Sequence, residues 1–478
     1  MQKIEGMENS IYDKRILAHI VMEAETPMII GSGAKNSITD AEILKDVNGL
    51  PYIPGTSIAG VLRHGLDEEL AYKFFGFNVK EKTQDDDKSN DSKDKDEPHG
   101  SEIIFSEAKL LNDDGTAIDG ISDCSGSSFL KRFERLPKRN HVRLTNRGVA
   151  ADKGKFDEEV IYKGSRFAFE IEMMAKSYDD DSAEKLLNEV LGQLYSATFR
   201  IGGGTRKGFG KVSPVEIRKK AFDLKKPDEF EAYLQFSSKL SDSRNDWETF
   251  KPSPLPTQYN TIQYELRLTP QDFFYFGSGL GDEDVDDTPV YEDIILWNTG
   301  KGVFKKVLLI PATSLKGALS HRVAFNYNLK REKFADSLED PELEKHCGVN
   351  NDAVRMLFGF QDVDKQRRGH VIFNDILSDV TKNEKILNHV KIDRFTGGAM
   401  DGALFSEKVI DGKGLSFSTT ITVIIQNEQK KEKEFNDCIT ALEAAMKDID
   451  NGTLPLGGGS GRGHGIFKCE ITKNGKRL

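Results

Sequence analysis

The chain has 478 residues, with 67 Lys and Arg against 78 Asp and Glu, which gives a formal net charge of −11. This length fits two or three domains, and the acidic balance argues against nucleic-acid binding driven by overall charge. No apolar run reaches the roughly 20 residues of a membrane span, and the charged N-terminus is unlike a signal peptide, so we expect a cytoplasmic protein. The four cysteines are widely spaced and form no Cys-x-x-Cys pair, which disfavours structural zinc and a disulfide framework.

In chain order, each half of the sequence begins with the same predicted elements. Residues 15–24 and 261–268 alternate as strands do, and each segment leads to a Gly-Ser-Gly loop. An Ile-Pro-Gly-Thr-Ser turn at 53–57 returns as Ile-Pro-Ala-Thr-Ser at 310–314. Threonine and serine are favoured N-caps, so we expect them to cap the helices that follow. These helices are predicted at 58–70 and 315–325.

The repeat continues to the end of each half. The remaining predicted elements are short strands at 102–105 and 370–373, amphipathic helices at 183–195 and 433–446, and Gly-rich loops at 202–210 and 457–465. Matches that keep their order over half of a chain indicate a tandem duplication of a domain of about 220 residues. Antiparallel strands mixed with two helices predict an α+β fold of two tandem ferredoxin-like, RRM-like domains.

Domain boundaries and charged segments follow from composition. We place the first domain at 1–220, a linker rich in charge and proline at 221–260, and the second domain at 261–478. Residues 80–98 are strongly charged and almost without apolar residues, which predicts a disordered surface insertion. By contrast, residues 131–147 carry seven Lys and Arg against a single Glu. Such a stretch can bind phosphates locally, although a solvated charged face explains it as well.

The Gly-rich loops carry the first candidate binding residues. They lack the Lys-Ser/Thr of a P-loop, and a strand rather than a helix follows them, which excludes the dinucleotide fingerprint. Three successive glycines are commonly only a flexible turn, but each loop adds a cation within three residues, and bare backbone can approach a polyanion. We therefore predict phosphate contacts at Gly203, Gly204, Arg206 and Lys207 in the first half and at Gly458, Gly459 and Arg462 in the second.

Loop aspartates precede the Ile-Pro turn in both halves. They are Asp40 and Asp287, and each stands six residues before another aspartate. A lone loop aspartate is usually a cap or turn residue, so its position alone assigns no chemistry. The Asp-x-Asp-x-Asp run at 282–286 is not an EF-hand loop, because its sixth position is aspartate rather than glycine and its twelfth is not glutamate. His64 and His321 recur at matching places but form no catalytic or metal-binding motif.

The order of these motifs resembles the RAMP superfamily and, within it, the backbone subunit of type III CRISPR effector complexes. The resemblance rests on Leu-Pro-Tyr-Ile-Pro-Gly-Thr-Ser at 50–57, Arg-Phe-Thr-Gly-Gly-Ala at 394–399 and the terminal Gly-rich loop at 457–463. The Ile-Pro turn combined with that loop is specific, whereas either alone is weak. Because the similarity covers most of both halves, the chain is similar to a tandem fusion of two such subunits, as in type III-D systems.

The resemblance implies ferredoxin-like palms that bind crRNA along its phosphates, and thumb hairpins that kink the guide–target duplex. It also implies that a loop aspartate, with a divalent ion such as magnesium or manganese, cuts the target RNA at each kink. In this chain those aspartates are Asp40 and Asp287, whereas the metal ligands are not identified. The further RNA contacts that it implies are Arg63, Lys316, Arg143, Arg394 and Thr396.

The predicted function is an RNA-guided endoribonuclease with two cutting sites. Its partners would be crRNA, single-stranded target RNA and other subunits of an effector complex, and no membrane. RNA carries its own 2′-hydroxyl nucleophile, so alignment, a proton acceptor and charge stabilisation suffice for cleavage. Two alternatives stay open: a non-catalytic crRNA-binding scaffold, and an unrelated small-molecule enzyme that binds phosphate through the Gly-rich loops.

Overall fold

The structure is a computed structural model, and it describes residues 12–33, 41–76, 99–176, 180–252, 260–362, 366–380, 383–425 and 433–478. Asp40 and the acidic insertion predicted at 80–98 lie outside these residues. The described chain forms two consecutive units of mixed helices and antiparallel strands, which confirms the predicted α+β class.

The first unit contains two long hairpin strands in addition to its main sheet. Its strands are β1 (Lys14–Ala24), β2 (Ile103–Phe105), β3 (Lys109–Leu110), β4 (Lys138–Leu144), β5 (Ala150–Glu159), β6 (Arg166–Ala175), β7 (Val212–Asp223) and β8 (Glu248–Thr249). Its helices are α1 (Gly55–His64), α2 (Glu68–Phe75), α3 (Asp180–Gln193) and α4 (Pro227–Leu234).

The main sheet of the first unit has the order β2-β6-β1-β7-β8 with antiparallel neighbours. β1 lies at the centre because alternate residues such as Ile16 and Ile20 are buried in one core with Leu62 of α1 and Leu187 of α3. The succession β1, α1, β2, β6, α3, β7 with this strand order is the ferredoxin-like arrangement.

The second unit repeats this plan with more insertions. Its strands are β9 (Asn260–Pro270), β10 (Phe273–Phe274), β11 (Tyr291–Asn298), β12 (Lys301–Ile310), β13 (Gly359–Gln361), β14 (Gln366–Arg368), β15 (Val371–Phe373), β16 (Ile376–Ser378), β17 (Glu384–Ile392), β18 (Ala399–Asp411), β19 (Phe417–Ile425), β20 (Phe467–Lys473) and β21 (Lys476–Arg477). Its helices are α5 (Ala312–Leu329), α6 (Asp340–Glu344), α7 (Asp352–Phe358) and α8 (Lys433–Asp450). The sheet order β15-β19-β9-β20-β21 matches that of the first unit.

Each unit also carries a hairpin, which contains Arg143 in the first unit and Arg394 and Thr396 in the second. In the first unit, β4 pairs with β5, and in the second, β17 pairs with β18. We call these the first and second thumb. Both pairs show a register shift near the outer end, between Val142 and Leu144 and between Val390 and Ile392. A bulge at matching places increases the twist of both hairpins in the same way.

The helices after the Ile-Pro turns begin earlier than predicted. α1 starts at Gly55 and α5 at Ala312, with the preceding proline as N-cap and no side-chain cap from the turn residues. The prediction that Thr or Ser of the turn caps the helix is therefore wrong, since these residues already lie in the first turn. In α5, the side chain of Asp375 accepts a hydrogen bond from the Ala312 N–H at 2.7 Å instead.

Residues 221–252, the described part of the linker predicted at 221–260, contact the first unit at several points. β7 continues to Asp223, and α4 and the segment after it cover the sheet face opposite to α1 and α3. Leu17 and Phe222 are buried there with Trp247. The guanidinium of Arg244 stacks over the Trp247 ring. This part of the sheet face is therefore covered by the protein itself.

The hairpin β11–β12 of the second unit completes the core of the first. Ile295 is 2 % exposed and belongs to the first unit's core cluster. The ring of Phe304 packs on Phe133 and Tyr162, with centroids 6.1 and 5.0 Å away. Burying such side chains contributes about 1.5–3 kcal/mol each. The hairpin therefore fixes the two units against each other.

A buried ion network strengthens the same junction. Arg139 of β4 is 6 % exposed, and its guanidinium contacts Glu292 Oε2 at 2.6 Å and Asp375 Oδ2 at 2.8 Å, both in the second unit. Arg132 pairs with Asp293 at 2.5 Å. Two cations of the basic stretch at 131–147, for which phosphate binding and a solvated face were both open, therefore hold the units together.

Candidate nucleic-acid interface

Three cations from the two units meet at the junction. Arg206 and Lys207 belong to the Gly-rich loop of the first unit, and Lys316 lies in the first turns of α5. Arg206 Nε donates to the carbonyl of Gly369 in the second unit at 2.9 Å. Burial, followed by repulsion from Lys207 and Arg206, lowers the pKa of Lys316 to about 8. We call these three residues the junction cluster.

The shape of each Gly-rich loop depends on its third glycine. Gly204 has a φ of +65°, and a Cβ there would lie 2.6 Å from the Phe209 ring. Gly459 has a φ of +72°, and its Cβ would lie 2.5 Å from the His464 ring. Only glycine combines this backbone conformation with such close packing. The two loops thus share one conformation, which sets the position of the cation that follows.

The second glycine of each loop is engaged within the protein. The Gly203 N–H donates to the Ile29 carbonyl at 2.7 Å, and the Gly458 N–H donates to the Tyr275 carbonyl at 2.9 Å. These two amides were predicted to face phosphate, but they are already paired. The cations, rather than these two amides, are the groups of the loops that can neutralise a polyanion.

The base of the first thumb carries a histidine–glutamate pair that the sequence analysis did not identify. His141 Nε2 lies 3.1 Å from Glu158 Oε2. The imidazole stacks on Phe156, with ring centroids 4.9 Å apart. The neighbouring imidazole is the main reason that the pKa of Glu158 lies below its usual value. Lys207 of the junction cluster also acts on this carboxylate.

The base of the second thumb repeats the pair. His389 Nε2 lies 3.0 Å from Glu407 Oε1, and its ring stacks on Phe405 at 4.7 Å. Arg462, predicted to contact guide phosphate, forms an ion pair with Glu407, which is 1 % exposed. Burial alone would raise the pKa of Glu407, but Arg462 and His389 hold it below its usual value. The signal for both pairs was the Phe-x-Glu repeated in the two halves.

Asp287 lies beside this second pair, whereas its counterpart in the first unit is an alanine. Asp287 forms a parallel bridge with Glu407, and Ala41 forms the same bridge with Glu158. The neighbouring bridges, Gly277 with Pro289 and Gly31 with Ile43, keep the same register. Asp40, the predicted match of Asp287, lies outside the described residues, so this match stays a prediction.

The carboxyl group of Asp287 is chemically distinctive. Its Oδ1 is buried and has no hydrogen-bond partner among the described residues. Burial raises its pKa; the negative charge of Glu407 adds to this effect, and backbone hydrogen bonds oppose it. No group of three or more His, Cys, Asp or Glu within the described ranges could hold a metal ion. A magnesium ion commonly takes one or two carboxylates, water and substrate phosphate, so Asp287 alone fits such a shared site.

The remaining predicted contacts are solvent-exposed. Arg63 is at the last turn of α1, whereas Lys316 is in the first turns of α5, so the two are not equivalent. Arg143 lies on the first thumb, and Arg394 and Thr396 lie at the tip of the second. The Thr396 hydroxyl and N–H both donate to the carboxylate of Asp393, which shapes this tip.

Comparison with known proteins agrees with this geometry. No helix among the described residues has the length and apolar character of a membrane span. None of the curated proteins matches the chain. A family described as the RAMP superfamily matches residues 21–213 and 297–468, which is one region in each unit. Since these regions make up well over half of its length, the chain belongs to the RAMP superfamily, whose members work with RNA in multi-subunit CRISPR complexes.

Proposed function

We propose that this chain is a double backbone subunit of a type III CRISPR effector complex, which binds crRNA and cuts complementary target RNA. The junction cluster carries the proposal. It takes Arg206 and Lys207 from one unit and Lys316 from the other. An RNA backbone that runs across the junction would contact both units, as a guide shared by consecutive subunits must.

The electrostatics of the cluster favour an anionic partner. No carboxylate of the described residues is among the groups that act on Lys316, while two neighbouring cations repel it. Bringing like charges together at a partly buried site is unfavourable unless an opposite charge compensates it. A bound phosphodiester would place negative charge beside Lys316 and offset part of this repulsion.

The exposed thumb tips support contact with bases. Phe395 at the tip of the second thumb is 98 % exposed, and Ile392 and Leu404 on the same hairpin are more than half exposed. Aromatic and apolar side chains on a hairpin can stack on or separate bases, which contributes about 1–3 kcal/mol per base. Val142 and Leu144 expose apolar side chains in the same way on the first thumb.

Asp287 is the residue that we propose for proton transfer in cleavage. The 2′-hydroxyl attacks the adjacent phosphorus, and its proton passes to Asp287 while the 2′-oxygen–phosphorus bond forms. The bond from phosphorus to the 5′-oxygen breaks, and that oxygen takes a proton from water, which leaves a 2′,3′-cyclic phosphate and a 5′-hydroxyl. The raised pKa makes this carboxylate a stronger proton acceptor than an ordinary aspartate. A magnesium or manganese ion held by RNA phosphate and water would stabilise the developing charge.

The test is target cleavage by the complex assembled around this chain. We expect cutting of a complementary RNA with magnesium or manganese, and loss of this chain's products in the double variant Asp40→Ala, Asp287→Ala. Guide and target binding should remain, because removing a carboxylate removes repulsion of phosphate rather than attraction. If the double variant yields every product at the wild-type rate, the chain is a crRNA-binding scaffold and its neighbours do the cutting.

A further inference from the structure

Arginines of the first unit bind a short segment of the second unit that directly follows β15. Arg139 Nη1 lies 2.8 Å from Asp375 Oδ2, and Arg200 Nη2 donates to Asn374 Oδ1 at 2.6 Å. Both arginines are 6 % exposed, so the junction buries their charge. Arginine pairs with a carboxylate are strong contacts when they are buried and well aligned. The residues after β15 are therefore an arginine-binding segment.

The tip of the first thumb contacts the second unit as well. His321 Nε2, on α5, lies 2.9 Å from the carbonyl oxygen of Asn146, which lies in the turn between β4 and β5. We call His321, Asn374 and Asp375 the receiving face of the second unit. It binds the thumb tip through the histidine and the arginines through the other two side chains.

The first unit has residues at the same three places of its own fold. His64 stands ten residues after the proline of the Ile-Pro turn, as His321 does in the second unit. Ser106 and Glu107 directly follow β2, as the arginine-binding segment follows β15. A junction in which different surfaces of two related units meet leaves one surface of each kind unused. His64, Ser106 and Glu107 form the unused receiving face of the first unit.

This second receiving face is exposed where the first one is covered. The side chain of Glu107 is 52 % exposed, and that of Asp375 is 2 % exposed. On the strands before them, Ile104 is 50 % exposed, and its counterpart Ile372 is 1 % exposed. Glu107 pairs with Lys109 at 2.6 Å, but an exposed ion pair of this kind is weak. The first unit therefore presents an arginine acceptor and an exposed apolar side chain at one edge of its sheet.

A second copy of this chain does not carry the groups that would fill this face. The Asn-His-Val run at 140–142 recurs at 388–390, and the glycine triplet at 202–204 recurs at 457–459, so the two units can be aligned there. The three arginines that bind the second unit are Arg139, Arg200 and Arg206, and their counterparts are Leu387, Pro455 and Gly461. The second unit of another copy would thus set an apolar side chain against Glu107.

We infer that the receiving face of the first unit binds the thumb of a different RAMP subunit, one that carries an arginine at the position of Arg139. This inference rests on the proposed function, because it requires a complex with a further subunit of this kind. The arginine of that neighbour pairs with Glu107, and a carbonyl at its thumb tip meets His64.

This contact is more sensitive to salt than the junction within the chain. At the place of β11–β12, the described part of the first unit has only isolated bridges, such as that of Lys45 with Pro51. The neighbour therefore gains no hairpin like the one that places Ile295 in the first unit's core. Polar contacts carry more of the binding, and dissolved ions screen such contacts.

Cross-linking in the assembled complex identifies the neighbour. A photoreactive benzoylphenylalanine replaces Ile104, and the cross-linked peptides are mapped by mass spectrometry. We expect a hairpin peptide that contains an arginine and belongs to a different subunit. A cross-link to a second copy of this chain, or no cross-link to any subunit, overturns the inference.

A charge reversal then tests the ion pair. Glu107→Arg should lower the amount of that neighbour in the isolated complex by about tenfold or more, and exchange of the neighbour's cross-linked arginine for glutamate should restore it. Glu107→Asp, which reproduces the carboxylate of the second unit, should keep the neighbour. Glu231→Arg, at an exposed position on α4, is the control and should also keep it. Thermal stability confirms that each variant is folded.

The outcomes separate this inference from the proposed function. If Glu107→Arg retains the neighbour in full while the complex still contains RNA, the inference fails and the proposed function stands. If the wild-type chain purifies with neither RNA nor another subunit, the proposed function fails, and the inference fails with it.

Discussion

RNA binding by this chain should weaken above pH 8, and Lys316→Arg should remove that dependence. The pKa of Lys316 is lowered from an ordinary 10.5 to about 8 by burial and by Lys207 and Arg206. A bound phosphate favours the charged amine and raises its pKa again, so binding takes up a proton. The affinity for RNA is therefore constant well below pH 8 and falls about tenfold for each pH unit above it. Between pH 7 and pH 9 we expect a loss of about tenfold.

The assay is fluorescence anisotropy at constant ionic strength, with an RNA of adenine and cytosine only, whose bases do not titrate in this range. Arginine stays charged throughout, so Lys316→Arg should bind equally well from about pH 7 to pH 9. Lys330→Arg, at the exposed end of the same helix, is the control and should follow the wild type. If Lys316→Arg shows the wild-type loss, or the wild type shows none, the junction cluster is not a phosphate site.

Three further predictions concern the junction between the units. Replacing both Arg206 and Lys207 with alanine should weaken binding of every RNA sequence. The slope of log affinity against log salt concentration should fall by about 1.4, because two phosphate contacts on a single strand are lost. An effect limited to particular bases would contradict this prediction. Arg139→Ala removes the ion-pair partner of two buried carboxylates, so chemical denaturation should show a free energy of unfolding lower by about 3–5 kcal/mol. The control variant, Arg143→Ala on the same strand, should change it by less than about 0.5 kcal/mol. Ile295→Ala should cost about 2–4 kcal/mol through the cavity left in the first unit's core, and melting temperatures equal to the wild type would refute the role of this hairpin.

The repeated fold was predictable because the same local sequence signals mark the elements in both halves. Strand alternation, the Ile-Pro turn and the Gly-rich loop recur in the same order, and each reflects a local rule that operates in both units. The packing of residues 221–252 was not predictable in this way. Charge and proline suggested a linker, but the burial of Trp247 with Leu17 and Phe222 depends on residues more than 200 positions apart.

The site was predictable only in part, for the same reason. Cations after the Gly-rich loops were visible in the sequence, but the meeting of Lys207 with Lys316 depends on how the two units pack. The bridge between Asp287 and Glu407 follows from strand pairing, which motif spacing does not reveal. The histidine–glutamate pairs were missed because 15 or more residues of hairpin separate the partners.

If the chain carries a guide RNA across both units, that RNA should copurify with it. The chain should be isolated with its complex under mild conditions, and the RNA extracted and sized. We predict RNA of uniform length at a fixed ratio to protein, with a lower ratio in the variant that lacks Arg206 and Lys207. Two results would contradict a guide RNA that runs across both units. One is a chain that purifies without RNA, and the other is RNA of heterogeneous length that the variant retains in full.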